Sequence, residues 1–195
     1  MERTAIFTAK MNHTSETVKK FMRIQYGVFN SSKVLIQTVL SAALIASGLF
    51  FSQKTFLSIG CLIIGCLSIA NLDMIPNYSA NRIISSFKNS FPVSDYSFYE
   101  NGFNDCKTDQ IVLYSKIIKI ISDSSFYYIF VSKQYGYMIE KSSVAKNTNQ
   151  TFNGFLTNKT HLKWEKPFLI YSFSIKEILK KNNGPKIGDR LGPHK

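Results

Sequence analysis

The stretch Val34–Phe51, VLIQTVLSAALIASGLFF, is followed after Ser52-Gln53-Lys54 by Thr55–Ile75, TFLSIGCLIIGCLSIANLDMI. No charge interrupts either run before Asp73. Each approaches the roughly 20 apolar residues that a helix, rising about 1.5 Å per residue, needs to cross a ~30 Å hydrocarbon layer. The spacing predicts a hairpin of two transmembrane spans, Val34 to Phe51 and Thr55 to Ile75. The competing reading is a buried helical hairpin. It fits poorly, because a domain of this size has too little surface to cover two helices that are apolar all round.

The charges outside the runs orient the hairpin. Arg3, Lys10, Lys19, Lys20, Arg23 and Lys33 precede it, Arg82 and Lys88 follow, and the tip offers Lys54 alone. Lys and Arg collect on the cytoplasmic side, so both termini are expected inside and the tip outside. The first thirty residues lack the short apolar core and small-residue cleavage motif of a signal peptide, so the first span is expected to be retained. The spans carry Ser41, Ala42, Ala43, Ala46, Ser47 and Gly48 on one helix and Ser58, Gly60, Gly65 and Ser68 on the other. Such patches permit close helix approach. Whether they face each other or a second copy is left open, so a homo-oligomer is one expected assembly. No ionisable residue lies deep in either run, which disfavours a channel or transporter.

A net charge of +12 over 195 residues points to anionic partners. Because the excess flanks the apolar runs, membrane lipids are the expected partner and nucleic acid the weakest candidate. In the N-terminal arm, residues 1–33, Thr4–Met11 reads as a short strand. Thr14 can cap a helix in which Val18, Phe21, Met22, Tyr26 and Phe29 share one face. That face would either lie on the cytoplasmic leaflet or pack on the rest of the protein. The candidate anionic-lipid contacts are Lys19, Lys20, Arg23 and Lys33, with Lys176, Lys180 and Lys181 from the basic tail, residues 165–195.

Residues 76–94 read as a connecting segment with a helix over Ser79–Asn89 after Pro76. Residues 95–164 then carry short segments rich in β-branched and aromatic side chains. Tyr96–Tyr99 runs into Asn101-Gly102, a dipeptide suited to a type I′ turn, and Phe103–Cys106 returns. Ile111–Tyr114, Ile117–Ile121, Phe126–Ser132 and Tyr137–Glu140 follow. Four or five antiparallel strands in one curled sheet, closed by a helix over Asn149–His161, are expected.

The order of these elements resembles the YcxB-like family of bacterial membrane proteins. The resemblance rests on Tyr96–Phe103, on Leu113–Ile120 (LYSKIIKI), on the aromatic strand Phe126–Phe130, on Tyr137–Ser142 and on FNGFLTNK at Phe152–Lys159. Glu140 stands where that family commonly has proline, and the last thirty residues fall outside the shared pattern. The resemblance implies an α+β membrane protein: a two-helix transmembrane hairpin with a cytosolic domain like that of pleckstrin-homology proteins. It implies a multi-pass protein of the bacterial cytoplasmic membrane that binds a protein or lipid partner.

No catalytic set is visible. His13, His161 and His194 are far apart, and Cys61, Cys66 and Cys106 have neither disulfide-framework nor zinc-ligand spacing. No phosphate loop or nucleophile elbow occurs. Glu100, Asp105 and Asp109 are expected to neutralise Lys107 and Lys116. No cofactor or metal is expected, and the activity is expected to be non-enzymatic. The alternative is a hydrolase or transferase at the membrane surface, which would need convergent Asp, Glu, His or Ser side chains in a pocket.

Overall fold

The computed structural model describes residues 4–50, 55–87, 90–106, 110–146 and 148–167. The chain is α+β, and its first strand, β1 (Phe7–Asn12), organises the rest. Phe7, Ala9 and Met11 point inward while Thr8, Lys10 and Asn12 face solvent. The alternation begins at Phe7, so Ile6 lies outside it. Thr14 then caps α1 (Ser15–Phe29), and the Thr14 and Thr17 side chains satisfy each other's backbone N–H groups.

After a one-residue break at Asn30 come α2 (Ser31–Phe50) and α3 (Thr55–Ala70). Their small-residue faces meet each other. Ser41 and Gly48 on α2 are buried against Ser58 and Gly65 on α3. A Cβ on Gly65 would stand 3.0 Å from the Ser41 carbonyl oxygen, and one on Gly48 would stand 2.9 Å from that of Ser58. The Gln37 amide adds a cross-helix hydrogen bond, donating to the Ser68 carbonyl at 3.1 Å. Only 17% of the most apolar stretch of α2, and likewise of the helical stretch Thr55–Ser86 that begins with α3, is buried. Leu40, Leu49, Phe56 and Ile64 are among the large side chains left exposed. By length and composition, α2 and the helical stretch Thr55–Ser86 that begins with α3 are each long and apolar enough to cross a membrane.

A turn at 71–73 joins α3 to α4 (Met74–Ser86), so the connecting helix starts earlier than the Ser79 expected from Pro76. Pro76 sits in the first turn, where its missing N–H has no intrahelical partner to lose. Helix α4 packs along α1. Together they form a stalk continuous with the apolar hairpin.

The rest of the chain forms two antiparallel sheets, where one curled sheet was expected. The first has the order β4-β3-β2-β1-β8, built from β2 (Val93–Phe98), β3 (Gly102–Asp105), β4 (Ile111–Leu113) and β8 (Ala145–Lys146) around β1. The second is β5-β6-β7, with β5 (Lys119–Ser122), β6 (Phe126–Phe130) and β7 (Gly136–Glu140). A one-turn 3₁₀ helix, Tyr114–Lys116, separates them. The chain bends there because the Tyr114 hydroxyl turns inward to donate to the Tyr99 carbonyl at 2.8 Å.

The β2–β3 turn is also displaced from its expected position. Phe98 pairs with Phe103, which puts Glu100-Asn101 at the centre and Gly102 in the strand. Among the described residues His161 alone has a positive φ, so neither Glu100 nor Asn101 does and this is not a type I′ turn. Gly102 serves a different need: a Cβ there would lie 2.5 Å from the Val112 carbonyl oxygen of β4.

Between the sheets lies one aromatic core. Helix α5 (Phe152–Thr160) inserts Phe152, Phe155 and Leu156 into it, with the Phe152 ring 4.9 Å from Phe98 and 5.0 Å from Tyr127. Trp164 donates to the Asn153 carbonyl at 3.1 Å and rests on Tyr127, fixing the end of the helix. The segment after it extends the second sheet, where Glu165 bridges β5 at Ile121.

The two glycines of α3 should respond differently to added bulk. Gly65→Leu forces the helices apart and should lower the stability of the hairpin by about 1–3 kcal/mol, read as an earlier midpoint of denaturant unfolding in micelles. Gly60→Leu should leave the midpoint unchanged, because nothing lies within 4 Å of a Cβ there. Equal responses would show that the helices do not meet along this seam.

Candidate functional site

Helix α1 uses its apolar face against the sheets. Phe21 stacks on Phe130 at 5.6 Å, and Phe29 meets the same ring edge-on at 5.3 Å. Gln25, 6% exposed, donates to the Lys133 carbonyl at 3.1 Å, spanning helix and the β6–β7 turn. Of the two expectations for this face, packing on the protein is the one observed.

That packing engages two of the candidate lipid-binding cations. Lys20 reaches Asp123 at 2.9 Å and lies 4.7 Å from the centre of the Phe126 ring. Arg23 pairs with Asp73 at 3.4 Å and donates to the Asn77 side chain at 3.2 Å, tying α1 to the start of α4. Lys33 is exposed in the first turn of α2, and Lys19 is half-buried. Among the described residues neither forms an ion pair. Lys176, Lys180 and Lys181 lie outside the described residues, as do the hairpin tip, Lys107 and Asp109.

Asp123 closes the β5–β6 turn. One carboxylate oxygen accepts from the Ser125 and Phe126 backbone N–H groups at 2.8 and 2.7 Å; the other accepts from Tyr128 at 2.7 Å and from Lys20. Burial pushes its carboxyl up, but the Lys20 ammonium, the Tyr128 hydroxyl and the two N–H donors outweigh that and hold it below its usual range. Burial, reinforced by the Asp123 charge, raises the Tyr128 phenol.

Glu100 pairs with Lys159 on α5, and among the described residues no ion pair joins it to Lys116. That pair stands in a cleft of about 600 Å³ bordered by Thr4, Ile6, Gln150 and Phe155.

A second cleft, of about 360 Å³, opens between the stalk and the two sheets. Its floor is the inner face of the first sheet, where Tyr96 on β2 lies directly opposite Asp105 on β3. One wall is β7, whose Tyr137 ring meets Tyr96 edge-on at 6.0 Å and Tyr135 at 5.8 Å. The stalk supplies the other wall through Phe21, Met22, Ile83 and Phe87. At one end His13 Nε2 is 3.5 Å from the Ser94 hydroxyl. Burial raises the Tyr96 phenol, with the Ser94 contact opposing and Asp105 adding to the shift. Burial, then Tyr135 and Asp105, raises the Tyr137 phenol.

Sequence reasoning did not assemble this cleft, since its residues come from six separate segments between His13 and Met138. The available signal was the alternation Phe103-Asn104-Asp105, which places Asp105 on the same face as buried Phe103. Among the described residues no three of His, Cys, Asp and Glu converge closely enough to hold a metal ion. No family model matches the chain. Comparisons with curated proteins and with solved structures also return no match.

Asp123→Asn should destabilise the fold by about 1–3 kcal/mol at neutral pH, since Lys20 then loses its counter-charge in a half-buried setting. A carboxyl held low when folded contributes fully above its unfolded pKa of about 3.9 and loses that contribution as pH falls through the folded value. The difference in Tm between wild type and variant should therefore be constant from pH 7 to about 4 and narrow below that. A constant difference down to pH 2 would remove the carboxylate from the argument.

Proposed function

We propose that this chain is a YcxB-like multi-pass protein of the bacterial cytoplasmic membrane. In this reading α2 and α3 are its two spans. Its sheets form a pleckstrin-homology-like domain at the cytoplasmic surface, and it works by binding a lipid or protein partner rather than by catalysis. The observation that carries this is the exposed apolar surface of the hairpin. Apart from one small-residue seam, both helices present Leu, Ile and Phe outward. Contiguous apolar surface on that scale is unfavourable in water and favourable in hydrocarbon.

The topology has independent support. Residue Phe7 before the hairpin pairs with Phe98 after it, so both flanks lie on one side of any bilayer the hairpin crosses. The Lys and Arg of those flanks support reading that side as the cytoplasmic one. Lys33, exposed at the start of α2, is placed to meet anionic headgroups, each such cation contributing about 1 kcal/mol. Lys20 and Arg23 serve the stalk instead.

Binding rather than chemistry is supported by how the polar side chains are used. Asp123, Glu100 and Arg23 are all committed to joining elements of the fold. The resemblance to the YcxB-like family, carried by the five segments quoted above, points the same way.

Topology is tested with a membrane-impermeant maleimide. In a chain with Cys61 and Cys66 replaced by Ser, a cysteine introduced by Gln53→Cys should label in intact spheroplasts. Exposed Cys106 should label only after lysis. Labelling of Cys106 in intact cells would invert the orientation, and recovery of the full chain in the detergent-free soluble fraction would overturn the membrane reading.

A further inference from the structure

Helix α4 presents to its surroundings one stripe whose chemistry changes along its length. Met74, Tyr78 and Arg82 follow one another at intervals of four, and Ile75 stands beside them, so these side chains share a face. All are exposed, Tyr78 by 73%. The opposite face is committed to α1, with Pro76 and Ala80 buried and Asn77 accepting from Arg23. From the hairpin outward, the free stripe is apolar at Met74 and Ile75, amphipathic at Tyr78 and cationic at Arg82. Among the described residues no ion pair engages Arg82.

The level of this stripe follows from the register of the hairpin. Val34 in α2 packs with Leu72, in the turn before α4. Three residues outward from that contact, Ser31 opens α2 and Ile75 lies in the first turn of α4. The 20 residues of α2, at about 1.5 Å each, span about 30 Å, the thickness of a hydrocarbon layer. A layer filled by α2 therefore ends near Ser31 and Ile75. Tyr78 then lies about 5 Å beyond it, inside a headgroup zone roughly 5–8 Å deep, and Arg82 about 10 Å beyond, on the watery side of that zone.

We propose that this face of α4 is immersed in the phospholipid interface on the side of the sheets, with Tyr78 among the headgroups and Arg82 at their outer limit. Tyrosine gathers at that depth because its ring is apolar while its hydroxyl stays hydrogen-bonded. Arginine can lay its apolar stem along the interface and hold its charge near the phosphates. In water the same stripe would add Met, Ile and Tyr side chains to the exposed apolar surface of the hairpin. The inference rests on the membrane reading of α2 and α3 and extends it. Contact with lipid continues past the spans to the base of the stalk, where Arg23, Asp73 and Asn77 lock α1 to α4.

The test uses the full chain in nanodiscs of phosphatidylcholine and phosphatidylglycerol, with Trp164→Phe so that one introduced tryptophan reports its own depth. Lipids brominated near the ester end or near the terminus of their acyl chains serve as quenchers. Tyr78→Trp should lose about half of its emission to the ester-end bromines and less to the terminal ones, and should be shielded from aqueous iodide. Ile64→Trp, exposed on α3, should be quenched most by the terminal bromines. The wild-type chain, whose single tryptophan is Trp164, should be quenched by neither lipid. Retaining Trp164 and reading the difference from wild type gives the same comparison should Trp164→Phe fail to fold. Quenching of Ile64→Trp without quenching of Tyr78→Trp would overturn this inference and leave the membrane reading intact, whereas no quenching of Ile64→Trp would overturn both. A Tyr78→Trp chain reached by neither bromine nor iodide would mean that protein, such as a second copy, covers this face, and would overturn the inference as well.

Discussion

The antiparallel pairing of β1 with β2 is the constraint on which the architecture rests. It joins residues on either side of the hairpin into one sheet, with β1 second from one edge and contacting both β2 and β8. Everything beyond follows from that closure. The chain leaves the sheet through α1, passes through α2 and α3, and returns through α4, which must lie beside α1 to reach β2. Arg23, bonded to both Asp73 and Asn77, fixes the level at which the two stalk helices meet.

Two kinds of packing hold the molecule together, and they share almost no chemistry. The hairpin is joined by what its seam lacks: Gly48 and Gly65 let backbone approach backbone, and dispersion with one amide bond from Gln37 does the rest. The sheet domain is joined by bulk. Phe7, Phe98, Phe103, Phe130 and Phe152 fill the space between the sheets, most of them in edge-on contacts that favour the ring quadrupoles. Helix α1 belongs to both regimes. Its Phe21 and Phe29 enter the aromatic core, while Tyr26 packs against Val34 and Leu72 at the mouth of the hairpin.

Much of this was legible in the sequence. Length and unbroken apolarity defined the helices of the hairpin, Thr14 marked the start of α1, and runs of β-branched and aromatic residues between turn signals located β4, β6 and β7 to within a residue or two. Non-local facts were not legible. The sequence around Thr4–Met11 says strand but not which partner, so the arm read as separate from the domain it anchors. The single expected sheet became two because the Tyr114 hydroxyl bends the chain inward, a contact no local pattern announces. The turn slipped by one residue because Gly102 answers to the approach of Val112 rather than to turn geometry. The pairing of Lys20 with Asp123 and of Arg23 with Asp73 was not legible, since a cation facing a headgroup and one facing a carboxylate have the same helical spacing. The cleft was hidden for a related reason: Tyr96 and Asp105 are neighbours only through strand register.

The placement of β1 also has a consequence for biosynthesis. This strand leaves the ribosome before the hairpin, yet its main partner lies roughly eighty to ninety residues later. At about 5–20 residues per second the wait is on the order of 4 to 18 seconds, and during it both apolar helices are synthesised. An amphipathic strand with open edges on both sides is meanwhile a target for chaperones and a hazard for aggregation. Sheet closure is therefore a late event: only a nascent chain whose helical hairpin has turned back can present Val93–Phe98 to the waiting β1.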